Sequence, residues 1–81
     1  MRLDKYLKVS RLIKRRTVAN EACDAGRVMI NDKPAKASTN VKVGDIIAIQ
    51  FGNKEVKVEV LDISEVIRKE DAKDMYKYIT E

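Results

Sequence analysis

The chain has 81 residues, with 17 Lys and Arg against 13 Asp and Glu, no His, one Cys and a net charge of +4. That length makes one domain near the low end at which a core stands without metal or disulfide, and the lone Cys23 excludes an internal disulfide. With no signal pattern and no long apolar run, the expectation is a reducing cytoplasm, no membrane span and no secretion.

The charge is segregated. Residues 1–36 hold ten Lys and Arg and four acids, while residues 37–81 hold seven and nine, so the positive excess lies in the first half. A one-sided cationic field attracts phosphate through Coulomb energy and counterion release, which makes nucleic acid the first partner to test. The competing reading is a solvated helix face that does nothing more.

In chain order, Leu3 and Leu7 sit at i,i+4 with Tyr6 beside them, while Arg2, Lys5 and Lys8 form another stripe, so a first helix with one core face and one cationic face is expected. Lys14-Arg15-Arg16 then leads to Thr17, a cap candidate for a second helix over Val18 to Ala25 that stops at Gly26. In that helix Val18, Ala22 and Ala25 are expected to line the packed side, with Ala19 and Cys23 adjacent. Their small size lets two helices approach closely.

Past Gly26 the period becomes strand-like. Val28-Met29-Ile30 is a short strand, Asn31-Asp32 tolerates positive φ in a tight turn, and Pro34 keeps its segment off the sheet centre. Ala35 to Val43 reads as loop. Ile46 to Phe51 and Glu55 to Leu61 form an expected antiparallel hairpin around Gly52-Asn53, since Val56, Val58 and Val60 alternate with Lys57 and Glu59. Ser64 to Glu81 is read as a C-terminal helix from the spacing of Ala72, Met75 and Ile79, capped by Asp71. The fold class is therefore α+β: two N-terminal helices on a small, mostly antiparallel sheet, with residues 1–61 as the binding domain and 62–81 as a helical extension packed on it.

Catalysis finds little support. The missing His removes the commonest general base and metal ligand, and Cys23 among Val18, Ala19 and Ala22 reads as core filler. Glu21 and Asp24, at i,i+3, read as solvated surface. With three separated glycines there is no phosphate-cradling loop, so neither an enzyme, a metal, a cofactor nor a small-molecule substrate is expected.

Arg2-Leu3-Asp4-Lys5-Tyr6-Leu7, Ser10-Arg11, Arg16-Thr17, Ala22, the run Gly26 to Asp32, and Val43-Gly44-Asp45 occur in an order that resembles the RNA-binding domain named after small-subunit ribosomal protein S4. The resemblance covers residues 1–51 closely and implies RNA bound along the helix pair. On that basis Arg2, Arg11, Arg15 and Arg16 are expected to take phosphate oxygens or stack on bases, with Lys5, Lys8, Lys14 and Arg27 extending the track. Thr17 and Asn20 are expected to donate to phosphate or a 2′-hydroxyl, and Asp4 to orient a neighbouring Arg. Tyr6 is assigned to the core edge; as the only aromatic of the basic segment it argues for recognition of folded RNA shape over an exposed stacking platform.

Stand-alone members of this family imply a place in bacterial ribosome-associated quality control. The partners so implied are 23S rRNA of an obstructed large ribosomal subunit, peptidyl-tRNA, and RqcH, the factor that recruits alanyl-tRNA for C-terminal alanine tailing of stalled chains. The chain is expected to act as a monomer in the cytoplasm, on the large subunit. Two alternatives stay open: a general rRNA-binding assembly or recycling factor, and a protein adaptor docking through Met75, Tyr76 and Tyr78 of the terminal helix.

Overall fold

The computed structural model of the chain describes residues 1–64 and 68–79. Its elements are α1 (Leu3–Val9), α2 (Arg16–Asp24), β1 (Val28–Ile30), β2 (Lys33–Pro34), β3 (Ile46–Phe51), β4 (Lys54–Val60), a 3₁₀ helix (Lys69–Met75) and β5 (Tyr76–Tyr78). The strands form one antiparallel sheet in the order β2-β1-β3-β4-β5. The α+β class is as the patterning indicates.

Helix α1 is too short to stand on propensity, so packing holds it. Leu3, Tyr6 and Leu7 make one stripe at i,i+3,i+4, all three fully buried. Burying each Leu contributes about 1.5–3 kcal/mol. The stripe meets Ala19 and Cys23 of α2 and Val28, Ile47, Ile49, Val58 and Val60 of the sheet. α1 ends where the Ser10 hydroxyl donates to the Leu7 carbonyl at 3.3 Å and Arg11 enters the left-handed region at φ 64°.

Two readings of α2 are corrected. The extended N-cap residue is Arg15, without a side-chain cap, and Thr17 lies inside the first turn. Starting at Arg16 places that side chain where its Nε reaches Asp4 on α1. The packed side is Ala19 and Cys23, at i,i+4, while Val18 is 46% exposed and Ala25 is also exposed. Helix α1 lies against the smallest side chains of α2, which leaves the branched Val18 turned away. The helix stops as read: Gly26 takes φ 78°, its N–H bonds the Cys23 carbonyl at 3.1 Å, and the Arg27 N–H bonds the Ala22 carbonyl at 3.0 Å. That pair of bonds is the Schellman arrangement, which asks for a left-handed residue at this position.

The sheet follows the turn chemistry. Asn31 and Asp32 both have positive φ, 52° and 66°, the type I′ pattern, and they join Ile30 to Lys33. Pro34 ends on the edge strand, where its missing N–H costs no interior ladder bond. In the β3–β4 hairpin only Gly52 has positive φ, as type II′ turns require of their first central residue. Val58 and Val60 are fully buried and face Ile47 and its neighbours, while Lys57 and Glu59 of the other face are partly exposed.

The expected C-terminal helix is replaced by the 3₁₀ helix and β5. Ala72 and Met75 are buried, but their three-residue spacing serves the three-per-turn period of a 3₁₀ helix. Tyr76-Lys77-Tyr78 then alternates aromatic and polar, and pairing with β4 suits that period better than a helix does. Ser64 is not helical, and residues 65–67 and 80–81 of the expected helix lie outside the described residues. The last strand also removes the terminal helix as a docking element: Met75 is fully buried.

Candidate nucleic-acid interface

The site is built around an acid that sequence places in a cationic stretch and the fold buries. Asp4 is 2% exposed, on the side of α1 that meets α2. Its Oδ1 accepts the Lys5 N–H at 2.8 Å and lies 3.2 Å from Arg2 Nε. Its Oδ2 accepts from Arg2 Nη2 at 3.4 Å, Arg16 Nε at 3.5 Å and Asn20 Nδ2 at 3.3 Å. Every donor brought to this carboxylate comes from a residue named as a candidate for RNA contact, Lys5 through its backbone amide.

Burial alone would raise the Asp4 carboxyl. The Asn20 hydrogen bond, the Lys5 amide and the Arg16 charge outweigh it and hold the group below its ordinary value, so the carboxylate is ionised at neutral pH. One negative charge then serves two guanidinium groups, and a net positive charge is left at the helix pair. The guanidinium contacts are long and both Arg side chains are about half exposed, so each pairing contributes roughly 0–1 kcal/mol to stability. Their effect is directional. Each guanidinium has five N–H donors, and holding one edge on Asp4 leaves the others presented to solvent.

Arg16, Thr17, Asn20 and Glu21 together with Asp4 line an open groove of about 320 Å³ beside the first turn of α2. Of the other candidate cations, Lys8, Arg11, Lys14 and Arg15 are exposed and Lys5 is partly buried. Arg27, past the end of α2, is exposed but lines a different, apolar groove together with Lys14. The site therefore divides: Arg2, Arg16 and Asn20 converge on Asp4, while Lys14 and Arg27 lie on the β3 side of α2. The commitment of Asn20 to Asp4 had no sequence signal beyond its place one turn after Arg16.

Tyr6 is not at the edge but inside the core, fully buried, with its hydroxyl donating to the Met75 carbonyl at 2.7 Å. Burial, with Tyr76 and Asp62 nearby, pushes its hydroxyl far above the usual range. Cys23 is buried too, and desolvation followed by the charges of Asp4 and Asp24 pushes its thiol up to about 11, where almost no thiolate forms. Among the described residues no group of three or more His, Cys, Asp and Glu is placed to hold a metal ion, and no helix is long and apolar enough to cross a membrane.

A two-helix cationic face packed on this sheet defines a class, and the sequence matches it: residues 1–47 match the S4 domain, and the chain belongs to that family. It is similar along all its residues to two proteins named RQC P-site tRNA stabilizing factor. One, from Streptococcus pneumoniae, is 57% identical with 92% of its length covered. The other, from Bacillus subtilis, is 53% identical with 94% covered. The fold is also that of the trimeric Heat Shock Protein 15 of Vibrio cholerae, with a TM-score of 0.90 and 31% identity over 98% of this chain and 81% of that one.

Proposed function

We propose that the chain is a non-enzymatic RNA-binding factor of ribosome-associated quality control, the role that the names of its relatives carry. In this reading it binds the obstructed large ribosomal subunit in the cytoplasm, contacts 23S rRNA and peptidyl-tRNA, and supports RqcH-dependent alanine tailing by steadying the tRNA between additions. The observation that carries the reading is the buried Asp4 carboxylate that turns Arg2 and Arg16 outward from one point on the helix pair. Such a pair matches the spaced phosphates of a folded RNA, and Lys5, Lys8, Arg11, Lys14, Arg15 and Arg27 supply the surrounding field. Thr17 and Asn20 are the uncharged donors of the same groove.

The test is co-sedimentation with large subunits carrying peptidyl-tRNA. Arg16→Ala is expected to weaken association and to reduce the slope of log affinity against log salt by about 1, the signature of one lost phosphate contact. Unchanged co-sedimentation would remove the clamp from the reading. An assembly or recycling factor, the other reading, would bind vacant large subunits as well as those that hold peptidyl-tRNA.

A further inference from the structure

The apolar groove on the β3 side of α2 has no part in the Asp4 cluster. It is formed by Leu12, Val18, Ile49 and Phe51, with Lys14 and Arg27 among its lining residues and no acid there. The sequence gives no hint of it, because Phe51 lies 37 positions after Lys14 and shares a groove with it only through the pairing of β3 with β1 and the packing of α2. Val18 and Phe51 are 46% and 43% exposed, so an aliphatic and an aromatic surface both face solvent in one recess. Its volume, about 400 Å³, is at the lower end of the range for small-ligand pockets.

We propose that this groove takes an unpaired RNA base, stacked on Phe51, with the flanking phosphates held by Lys14 and Arg27. Three observations favour a nucleotide over a peptide. The recess, at about 400 Å³, is of small-ligand size and too small for a packed helix. Its charges are all positive, and Lys14 runs directly into Arg15 and Arg16, whose face is the proposed phosphate track. The two grooves flank the first turn of α2, so a strand leaving one passes the other. Base stacking on an exposed aromatic, with cations on the backbone, is how bulged and looped nucleotides are read. The inference rests on the RNA-binding reading and refines it: paired RNA is held at Arg2 and Arg16, and a single splayed base at Phe51.

The experiment uses the full chain and two RNA hairpins, one with a fully paired stem and one with a single bulged 2-aminopurine in the same stem. The wild type is expected to bind the bulged hairpin about tenfold more tightly and to raise its fluorescence as the base leaves the RNA stack. Phe51→Ala abolishes the preference and the fluorescence change while leaving paired-stem affinity within about twofold, and Phe51→Tyr keeps the preference. Equal binding of the two hairpins by the wild type, or an equal loss on both with Phe51→Ala, overturns the stacking site. If neither hairpin binds, the RNA reading itself fails. Methyl resonances of Val18 and Ile49 that shift with an acidic, leucine-rich peptide but not with the bulged hairpin overturn the base in favour of a peptide.

Discussion

Tyr6, on the first helix, donates its hydroxyl hydrogen to the carbonyl of Met75 at 2.7 Å, across 69 residues of sequence. The same carbonyl accepts the N–H groups of Leu61 and Asp62, at 2.8 and 3.2 Å, so the cationic helix and the end of β4 are joined through one oxygen of the C-terminal stretch. Tyr6→Phe removes one of three donors and leaves the carbonyl satisfied by the other two. The expected loss is therefore about 1 kcal/mol, read as a lowered urea midpoint with an unchanged m-value, and large-subunit binding should persist.

Asp4→Asn separates orientation from charge. The variant gains a positive charge overall, which by long-range attraction alone would tighten RNA binding. Freed of the carboxylate, Arg2 and Arg16 lose their fixed direction, and the expected outcome is weaker binding to large subunits in a more cationic protein. Binding stronger than wild type at physiological salt would show that only net charge matters.

The same carboxylate sets a pH dependence. Its pKa is depressed in the folded chain, so its contribution to stability is present above the unfolded value of about 3.9 and is lost as pH falls through the folded value. Between pH 7 and pH 3 the wild type should lose more urea stability than Asp4→Asn, whose residue 4 does not titrate. The difference between the two isolates Asp4 from the other acids.

Arg11 occupies φ 64° just after α1, a conformation that L side chains adopt at a cost and glycine adopts freely. Arg11→Gly is expected to raise stability by about 0.5 kcal/mol, net of the entropy glycine adds to the unfolded chain, while weakening RNA binding. A variant that gains stability and loses binding would mark Arg11 as a residue whose charge is worth its backbone strain.

Cys23 should resist chemistry while the fold is intact. With its thiol raised to about 11 and the side chain buried, alkylation by iodoacetamide at pH 8 should be slow in the native protein and rapid in urea. Mass spectrometry of the two reactions measures the difference directly.

Local chemistry made much of the fold legible. Gly26 marked the end of α2, Asn31-Asp32 and Gly52 marked turns, and the alternating valines marked β4. What escaped was decided by partners distant in sequence. Val18 looked like core until α1 settled on Ala19 and Cys23, and the C-terminal helix dissolved because β4 offered Tyr76 to Tyr78 a ladder. At the candidate site the cations were visible as charges. That three of the residues share one carboxylate, and that Lys14 and Phe51 line one groove, depends on helix packing and on the pairing of β3 with β1.

The start of α1 is stitched to the loop after β2: the Leu3 and Asp4 amides bond the carbonyls of Thr39 and Ala37, the Lys5 amide bonds Asp4, and the Tyr6 amide bonds Arg2. All the N–H groups with which a helix start would ordinarily greet an anion are thus already spoken for. In the proposed reading, a phosphate at the start of α1 is therefore taken by side chains alone, each on its own tether. The grip at that end can be adjusted one residue at a time, in strength and in direction, without disturbing the backbone that carries it.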